Sequence, residues 1–405
     1  CRPEVTGVTR AMIIGGGVAG PVAAMALQKV GIDATVHEAY TAPAHDVGAW
    51  LGLQTNGLDA LRAIEAEQSV LGVGFPTPRI EFRSWTGKVL GSVSTGGPQD
   101  GGTVGLSMKR SELYRALHSE AVRRGVDIRY GSRLVDARTS DHGVTAVFAD
   151  GTTDSADLLV GGDGVRSTVR ALVDSSSVPR YVPVLNTAGY SEHTPADAEV
   201  GRLTMVFGKR AFFGYLLAPT GKTWWFASPP MSREPAADEV ATIADAEWRS
   251  RLYALYGGDR SPAVALIEGT PGALRGWTTY DMPTVRSWHC GRMVLIGDAA
   301  HATSPAAGQG ASLAVEDAVI LARCLRDLAV PEAFEHFEVT RRQRAQRVVA
   351  EGWKRSSAKS PNAVGRFARD LIMPVVMSRA VARGREPQAW MRHHHIDWDA
   401  PARIA

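Results

Sequence analysis

Residues 297–312 contain the residue types best placed to do chemistry, in the run Gly-Asp-Ala-Ala-His-Ala-Thr-Ser-Pro-Ala-Ala-Gly-Gln-Gly-Ala-Ser. The apolar residues 293–296 before it predict a buried strand, and residues 313–328 after it have the apolar spacing of a helix. A loop of small residues between a strand and a helix start leaves backbone amides unpaired at the positive end of the helix dipole. Glycines also let a ligand approach the backbone closely. The run is therefore a candidate anion site, although an ordinary Gly-rich turn has the same composition.

A second candidate site lies in residues 12–38, which predict a strand, a tight turn, an Ala-rich helix and a second strand. The turn has Gly-x-Gly-x-x-Gly spacing, and an acidic residue ends the second strand. In a dinucleotide site the glycines allow the tight turn and the approach of a pyrophosphate, and the acid accepts hydrogen bonds from a ribose. The pattern predicts dinucleotide binding without distinguishing FAD from NAD. The residues concerned are Gly15, Gly17, Val18, Ala19, Gly20 and Glu38.

Two further positions have the context of a nucleotide contact. Asp163 follows the apolar strand 156–160 and precedes Gly164 and a capped helix start. Arg110 stands just ahead of a predicted helix over residues 112–124, where it could hold a phosphate or face solvent. Taken alone, the position of Arg110 favours the solvent-facing interpretation.

Composition limits the classes of function. The chain has 405 residues, which favours two domains, and its net charge of +3 gives no electrostatic footprint for nucleic acid. The three cysteines are far apart and form no Cys-x-x-Cys pair, so neither a disulfide framework nor a zinc site is indicated, and a cytoplasmic compartment fits best. The apolar residues 11–30 are interrupted by glycines and Pro21, which argues against a membrane span. Consecutive histidines at 393–395 cannot all face one ion, so no metal is expected.

The middle of the chain is rich in aromatic residues that alternate along predicted strands. Strand alternation sends about half of them to each face, so they either fill an ordinary sheet core or wall a pocket for a flat apolar ligand. The sharper hypothesis makes substrate contacts of Tyr190, Phe207, Phe213, Tyr215 and Trp225. Residues 236–256 then predict an amphipathic helix.

The last part of the chain predicts two more helices. Residues 331–351 form a helix whose arginines, Arg341, Arg342, Arg344 and Arg347, we interpret as a solvated face. Residues 361–383 form another, and its apolar run 371–377 is suited to pack across both domains.

Taken together, three motifs in this order resemble those of the group A flavoprotein monooxygenases, the p-hydroxybenzoate hydroxylase family. They are the glycines of residues 15–20 with Glu38, then Asp163-Gly164 before Arg166-Ser167, then Gly297-Asp298 before His301 and Pro305. The resemblance covers most of residues 10–350. It implies an α/β fold: a doubly wound, Rossmann-like FAD domain with an inserted, mostly antiparallel β substrate domain and C-terminal helices. The implied boundaries are 1–72, 106–175 and 285–350 for the FAD domain, 73–105 and 176–284 for the substrate domain, and 351–405 for a helical segment bridging the two.

The resemblance also implies roles for particular residues. The FAD pyrophosphate is expected over residues 15–20, the adenosine ribose on Glu38, and the polar chain of the cofactor beside Arg110 and Asp298. Asp163 is expected to support FAD and the pyridine nucleotide. The full set of implied cofactor contacts is Gly15, Gly17, Val18, Ala19, Gly20, Glu38, Arg110, Leu134, Asp163, Gly297, Asp298, Pro305, Gly308, Gly310, Ala311 and Ser312, with Pro305 also a pocket wall near the reacting oxygen. The chain departs from the family pattern at Ala39, where Arg is frequent, and at Ser312, where Asn is common.

The implied reaction is hydroxylation or epoxidation of an aromatic or polycyclic small molecule, with NAD(P)H and O2 as co-substrates and a flavin C4a-hydroperoxide as the oxygen donor. A secondary metabolite is favoured over a small benzoate, because few arginines are placed to clamp a carboxylate. The sequence does not select a general base among Tyr190, His193, Tyr215 and Tyr280, and His301 fits a structural or a catalytic role equally. NADH and NADPH, and a monomer and a homodimer, remain alternatives. So do a flavoprotein that binds an aromatic ligand without turnover and a flavin halogenase, although no Trp-x-Trp-x-Ile-Pro segment is present.

Overall fold

The computed structural model describes residues 10–42, 49–96, 103–236, 238–357, 363–383 and 388–402. Its strands are β1 Arg10–Ile14, β2 Asp33–His37, β3 Trp50–Leu53, β4 Phe75–Pro76, β5 Arg79–Ser84, β6 Val89–Ser94, β7 Leu106–Lys109, β8 Asp127–Arg129, β9 Leu134–Thr139, β10 Val144–Phe148, β11 Thr153–Ala156, β12 Leu158–Gly161, β13 Arg180–Ser191, β14 Arg202–Phe207, β15 Phe212–Leu217, β16 Thr223–Ser228, β17 Gly276–Asp281, β18 His289–Cys290 and β19 Met293–Leu295. Its α-helices are α1 Ala19–Lys29, α2 Thr55–Ala63, α3 Glu67–Leu71, α4 Arg110–Arg123, α5 Thr168–Val173, α6 Asp245–Tyr256, α7 Ala263–Glu268, α8 Asp298–His301, α9 Gly310–Asp327, α10 Val330–Ser357, α11 Ala363–Ala382 and α12 Ala389–Arg392.

The first sheet, called the parallel sheet below, has the order β18-β19-β12-β1-β2-β8. Strands β1, β2, β8, β12 and β19 run parallel, and β18 pairs antiparallel with β19. Its central strands are continuous apolar runs because both faces are covered, and residues 11–14 of β1 are all buried. The carboxyl ends of β1, β12 and β19 therefore meet at one edge, and the loops that follow them carry the three predicted motifs.

The second sheet, called the large sheet below, has the order β17-β13-β16-β15-β14-β5-β6 and is antiparallel except where β14 pairs with β5. One face packs on α6 and α7, and its core holds Trp225, Trp248 and Tyr256. Helix α6 begins at Asp245, so the expected helix over residues 236–256 is wrong in its first part.

A short sheet, β3-β7-β4, links the two larger ones. Its strand β7 leads directly into α4. Helix α10 packs along α9, α12 packs on α2, and α11 packs on β6 at the edge of the large sheet. The mixed α/β fold with parallel and antiparallel sheets and C-terminal helices is confirmed.

The prediction that the four arginines of α10 form a solvated face is wrong for two of them. Arg341 has 0% exposure and Arg344 has 12%, because α10 lies against α9 and turns these side chains inward.

Candidate functional site

The three motif loops lie against one another at the carboxyl edge of the parallel sheet. Gly15 has a φ of 104°, and a Cβ there would come within 2.5 Å of the carbonyl oxygen of Gly162 in the second loop. Gly297 has a φ of 59° and turns the chain from β19 into α8. Only glycine adopts these conformations readily, so the sequence pattern has a direct steric cause.

The first loop leaves room for a ligand on one side only. A Cβ on Gly20 would lie 2.0 Å from the Gly15 carbonyl oxygen, so glycine is needed for α1 to start so close to β1. A Cβ on Gly17 would meet nothing within 4 Å. Val18 is the first residue of the α1 cap and is half-buried, whereas the Ala19 side chain is buried, so Ala19 offers a ligand only its backbone.

Glu38 stands beside this loop, as predicted from its position after β2. Its Oε2 accepts a hydrogen bond from the Gly16 amide at 2.6 Å, and its Oε1 accepts one from the Tyr40 amide at 2.9 Å. Sequence reasoning missed His118 on α4, whose Nε2 donates to the Gly16 carbonyl and whose Nδ1 lies 2.9 Å from the Tyr130 hydroxyl. No local pattern marks His118, because only tertiary packing brings α4 to the loop.

The carboxylate of Asp163 is used within its own loop. It accepts hydrogen bonds from the Ser167 hydroxyl, from the Thr168 amide at 2.7 Å and from the Val169 amide at 3.1 Å. Desolvation raises the pKa of Asp163, and these hydrogen bonds act in the opposite direction. The structure therefore gives this side chain the role of holding the start of α5, while its contact with a nucleotide stays a prediction.

The third loop presents Asp298 to an open cleft. The surface of Asp298 is accessible to solvent, but many protein atoms lie near its carboxyl. Their desolvating effect raises the pKa of this carboxyl, while the positive charge of Arg110 acts to lower it. Arg110 is also exposed, and its Nε donates to the Tyr114 hydroxyl at 2.7 Å. A Cβ on Gly310 would lie 3.9 Å from Asp298 Oδ1. The acid, the arginine and the start of α9 therefore share one cleft.

The surface around the start of α9 is open. Pro305 and Gly308 are exposed, and Gly308 has a φ of 63° with no atom within 4 Å of a Cβ built there. Gly310 and Ala311 are partly exposed.

Ser312 and Leu134 are placed differently from the other predicted contacts. Ser312 is completely buried, and its Oγ accepts a hydrogen bond from the Gln54 amide at 3.1 Å, at the start of α2. Leu134 is 4% exposed and belongs to the hydrophobic core that includes residues of β1 and α1. Packing turns both side chains into the protein, so Ser312 and Leu134 offer a cofactor only their backbone atoms, and their cofactor contacts stay predictions.

The starts of α1 and α9 share a property that fits an anionic ligand. Neither helix has a side chain capping its first amides, and neither has an acidic residue in its first turn. The cap residue of α9, Gln309, bonds instead to Asn56 Nδ2 at 2.9 Å. Helices α2 and α7 also start without a side-chain cap or an acid, so what sets α1 and α9 apart is that each opens directly from one of the motif loops. The amides that open α1 and α9 are thus left for phosphate or flavin oxygens, and the residues present fit FAD.

Beneath the third loop lies a buried charged cluster, which we call the α9–α10 network. Asp317 Oδ2 accepts from the Gly297 amide at 2.8 Å and from His301 Nε2 at 2.6 Å, and its Oδ1 accepts from Arg341 Nε at 2.8 Å. Arg341 also pairs with Glu316 at 2.6 Å. Burial pushes the pKa of Asp317 upward, but the charges of His301 and Arg341 outweigh it and lower the pKa to about 2. His301 is 2% exposed and its Nε2 is engaged by Asp317, so the structure shows a structural contact for this side chain.

Strand alternation divides the aromatic residues of the large sheet. Phe213, Tyr215 and Trp225 are at most 1% exposed and lie in the core against α6 and α7. The prediction that they line the substrate pocket is wrong, because their parity turns them into the core formed with α6 and α7.

The opposite face, called the aromatic face below, carries Tyr190 and Phe207 from the prediction together with residues it left out. Trp224 lies 5.4 Å from Tyr190 and 6.0 Å from Trp50, measured between ring centroids. Phe226, Phe212 and Phe75 continue the cluster. Trp50 pairs in β3 with Lys109, the neighbour of Arg110, so this face lies on the side of the cofactor cleft.

The structure narrows the candidates for a general base. Tyr215 is in the core, and the Tyr280 hydroxyl donates to Glu234 Oε1 at 2.8 Å. Burial raises the pKa of Tyr190 to about 12, with the charge of Glu112 adding to the effect, so its hydroxyl stays protonated near neutral pH. The amide of His193 donates to Ser191 Oγ at 3.1 Å.

No helix within the described ranges is both long and apolar enough to cross a membrane. The described part of the chain also holds no group of three or more His, Cys, Asp or Glu side chains suited to a metal ion. His395 Nδ1 instead lies 2.9 Å from Asp59.

The mixed α/β fold and the three motif loops place the chain in the class of FAD-binding proteins. Residues 8–352 match the model of the family described as FAD binding domain, and the chain belongs to this family. It is 31% identical over 393 residues to the aurachin C monooxygenase/isomerase of Stigmatella aurantiaca, covering 94% of this chain and 97% of that one. It is 30% identical over 349 residues to the 2-heptyl-3-hydroxy-4(1H)-quinolone synthase of Pseudomonas aeruginosa (strain UCBPP-PA14), covering 84% and 87%.

Among solved structures, HpxO of Klebsiella pneumoniae in complex with FAD and uric acid superposes with a TM-score of 0.83 at 25% identity, covering 95% of this chain and 97% of that one. The chain is accordingly an FAD-dependent monooxygenase, which favours the hydroxylase hypothesis over the binder and the halogenase.

Proposed function

We propose that this monooxygenase hydroxylates a flat, largely apolar aromatic molecule held between the flavin and the aromatic face. The observation that carries the proposal is the cluster of Trp224, Phe226, Trp50 and Tyr190 on the side of the large sheet that borders the cofactor cleft. Aromatic rings offer a planar ligand large apolar contact with defined stacking geometry. We also propose that the FAD domain, the substrate domain and the C-terminal helical segment have the boundaries predicted from the sequence.

The substrate class follows from the same face and from the relatives. Two similar proteins are a 2-heptyl-3-hydroxy-4(1H)-quinolone synthase and a 6-hydroxynicotinate 3-monooxygenase. The similar structure of HpxO is a complex with FAD and uric acid. We take a nitrogen-containing heteroaromatic ring, in a secondary metabolite, as the substrate class for this chain. The apolar character of Trp224, Phe226 and Phe212 favours a ring that carries an apolar substituent.

The residues that would hold FAD are those of the two uncapped helix starts. Gly15, Gly17 and Gly20 would admit the pyrophosphate, and Glu38 the ribose. Arg110 and Asp298 would border the polar chain of the cofactor, and the amides of residues 310–312 the flavin ring. When bound, FAD takes hydride from NAD(P)H and activates O2 so that one oxygen atom can be transferred to the substrate.

The chain itself binds, orients and excludes water. The start of α9 supplies amide donors and the positive end of a helix dipole, which stabilises a nearby negative charge by roughly 0.3–2 kcal/mol. The aromatic face removes water from the reacting carbon, which protects a reactive oxygen species from loss to solvent. Neither task requires a side chain of this protein to act as a nucleophile.

The test uses the FAD-loaded protein, NADPH or NADH, air, and a 2-alkyl-4(1H)-quinolone as the first probe. We expect oxidation of the nicotinamide to be stimulated by the probe and the product to gain one oxygen atom. Trp224→Leu should raise KM by about tenfold or more, from loss of aromatic burial worth roughly 1.5–3 kcal/mol, and should release more hydrogen peroxide. Trp398→Leu, a half-buried tryptophan whose ring lies 5.3 Å from Lys29 Nζ at the far end of α1, is the matched control and should leave both quantities unchanged.

The outcomes separate the alternatives. A probe that binds without stimulating nicotinamide oxidation would favour a flavoprotein that only sequesters its ligand. A product that forms only when a halide is present would favour a halogenase. Equal effects of the two tryptophan substitutions would show that the aromatic face is not the substrate site.

A further inference from the structure

Helix α11 is anchored on its inner side to the edge of the large sheet. Met377 packs so closely on β6 that a Cβ on Gly91 would lie 2.6 Å from its sulfur atom. Lys88 Nζ donates to the carbonyl of Asp370 at 3.0 Å, and the Arg369 guanidinium lies 4.6 Å from the centre of the Phe207 ring. These contacts fix which side of α11 faces outward.

The outward side of α11 is apolar. Its residues, with their exposed fractions, are Val364 76%, Phe367 73%, Leu371 60%, Ile372 56%, Val375 45% and Val376 55%. Spacings of three and four residues place them on one face of the helix. A surface helix ordinarily turns its apolar stripe to the core and its polar residues to water, and α11 does the reverse. A contiguous exposed apolar face of this kind marks an interaction surface.

Basic residues border this face. Arg379 and Arg383 are exposed, and they continue the row that begins with Ile372 and Val376 at the same spacing of three and four residues. Asp370 is the sole acidic residue between positions 363 and 382, and its carboxylate pairs with Arg369 at 2.8 Å on the inner side. The outward face therefore combines apolar side chains with positive charge and carries no carboxylate among its described residues.

We propose that α11 docks this face into the surface of an anionic membrane. Valine, leucine and phenylalanine side chains enter the boundary between headgroups and acyl chains, while Arg379 and Arg383 meet lipid phosphates. A second copy of the chain fits the face less well. An antiparallel pair of α11 helices would set the arginines of one copy over the apolar end of the other, with no carboxylate on the described face to compensate them. The absence of a spanning helix from the described residues is compatible with docking, because an interfacial helix lies on the membrane without crossing it.

The experiment is cosedimentation of the full FAD-loaded chain with vesicles of phosphatidylcholine alone or of an equimolar mixture of phosphatidylcholine and phosphatidylglycerol. We expect binding to the mixed vesicles that weakens as salt is raised. Phe367→Ser with Leu371→Ser should reduce binding by about tenfold or more, because two large apolar side chains no longer enter the lipid. Arg379→Gln with Arg383→Gln should lower binding to the mixed vesicles by about tenfold or more, so that the preference for them over phosphatidylcholine alone is abolished.

The matched control is Val122→Ser with Val178→Ser, which removes two exposed apolar side chains far from α11 and should leave vesicle binding unchanged. Flavin absorbance and circular dichroism establish whether each variant is folded. If the double serine variant does not fold, the double glutamine variant serves as the test. Failure of the wild-type chain to bind the mixed vesicles overturns the proposal. So does a dimer in lipid-free solution that Phe367→Ser with Leu371→Ser dissociates, since that result assigns the face to a second copy.

Discussion

The two uncapped helix starts that form the cofactor cleft are held in place by different physics. The start of α1 is fixed by backbone sterics, since Gly20 lets the helix begin against the Gly15 carbonyl and no ion pair lies beneath it in the described structure. The start of α9 rests on the α9–α10 network. In this network Asp317 accepts hydrogen bonds from the Gly297 amide and from Arg341 Nε. The first loop therefore depends on glycines that let it close and on the hydrogen bonds of Glu38 and His118 to Gly16, and the third depends on a buried network of ion pairs.

This difference separates ligand binding from stability. A change in the first loop is felt where the ligand approaches the backbone, because the space beside Gly17 is empty of protein. A change in the network is felt by the fold, because it leaves a buried charge without its partner. Three substitutions test this contrast.

The largest effect is expected for Arg341→Met. It removes a fully buried cation and leaves Asp317 without that partner, which typically costs about 3–5 kcal/mol of unfolding free energy. Arg355→Met, on the same helix, breaks a solvent-accessible pair with Glu351 and should cost no more than about 1 kcal/mol. Urea unfolding of the FAD-free protein measures both. Similar losses for the two variants would contradict the role given to the network.

An intermediate effect is expected for Gly17→Ala. The added methyl group meets no protein atom within 4 Å, so the unfolding free energy of the FAD-free protein should not change. The methyl would occupy ligand space, and overpacking of about 1–3 kcal/mol corresponds to a Kd for FAD raised by roughly 5- to 150-fold. Gly72→Ala, at another open position far from the cleft, is the control for both measurements. Unchanged FAD affinity in Gly17→Ala, measured by fluorescence titration, would place the pyrophosphate elsewhere.

The smallest effect is expected for the pH dependence of stability. Burial lowers the pKa of His394, beside the network, from 6.5 to about 4. As pH falls from about 6.5 to about 4, the unfolded chain takes up this proton before the folded chain does, so stability declines over that window. His394→Asn should make this decline shallower and leave the part that comes from His37, whose pKa burial also lowers, whereas His142→Asn, at an exposed position, should retain the full decline. Unfolding free energies measured across the window decide, and an unaltered slope in His394→Asn would count against this assignment.

Below pH 4 a second decline should follow in both variants. The folded-state pKa values of Glu316 and Asp317 are lowered to about 2, since the arginine charges, with that of His301 at Asp317, outweigh desolvation. These carboxylates contribute stability above their ordinary pKa values and lose it as pH falls toward about 2.

The sequence predicted those parts of the site that depend on neighbouring residues. Gly15, Gly20 and Gly297 sit where a strand turns into a helix, and this local requirement for glycine is visible as spacing alone. The network was not predictable in this way. Arg341 has the helix spacing of a solvated side chain, and only the packing of α10 on α9 makes it buried.

The aromatic residues show a second limit. Alternation along β16 correctly separates Trp224 from Trp225, but alternation does not say which parity faces the cofactor cleft. That choice is made by α6 and α7, which cover one face of the large sheet and claim Trp225, Tyr215 and Phe213 for the core. For these three residues the prediction therefore chose the side of the sheet that faces the core.

The order of strands in the parallel sheet also governs when the protein can first hold its cofactor during synthesis. Strands β1, β2 and β12 can pair once residue 161 has been made, but β19 joins β12 only after residue 293, and α9 follows it. Until then the growing chain exposes the apolar edge of β12 and lacks the start of α9, the second of the two helix starts that we propose hold FAD. Pairings between residues so distant in sequence form slowly and leave such edges open to aggregation. With FAD held as proposed, it can act as a stabilising ligand only for a nascent chain that has passed residue 312.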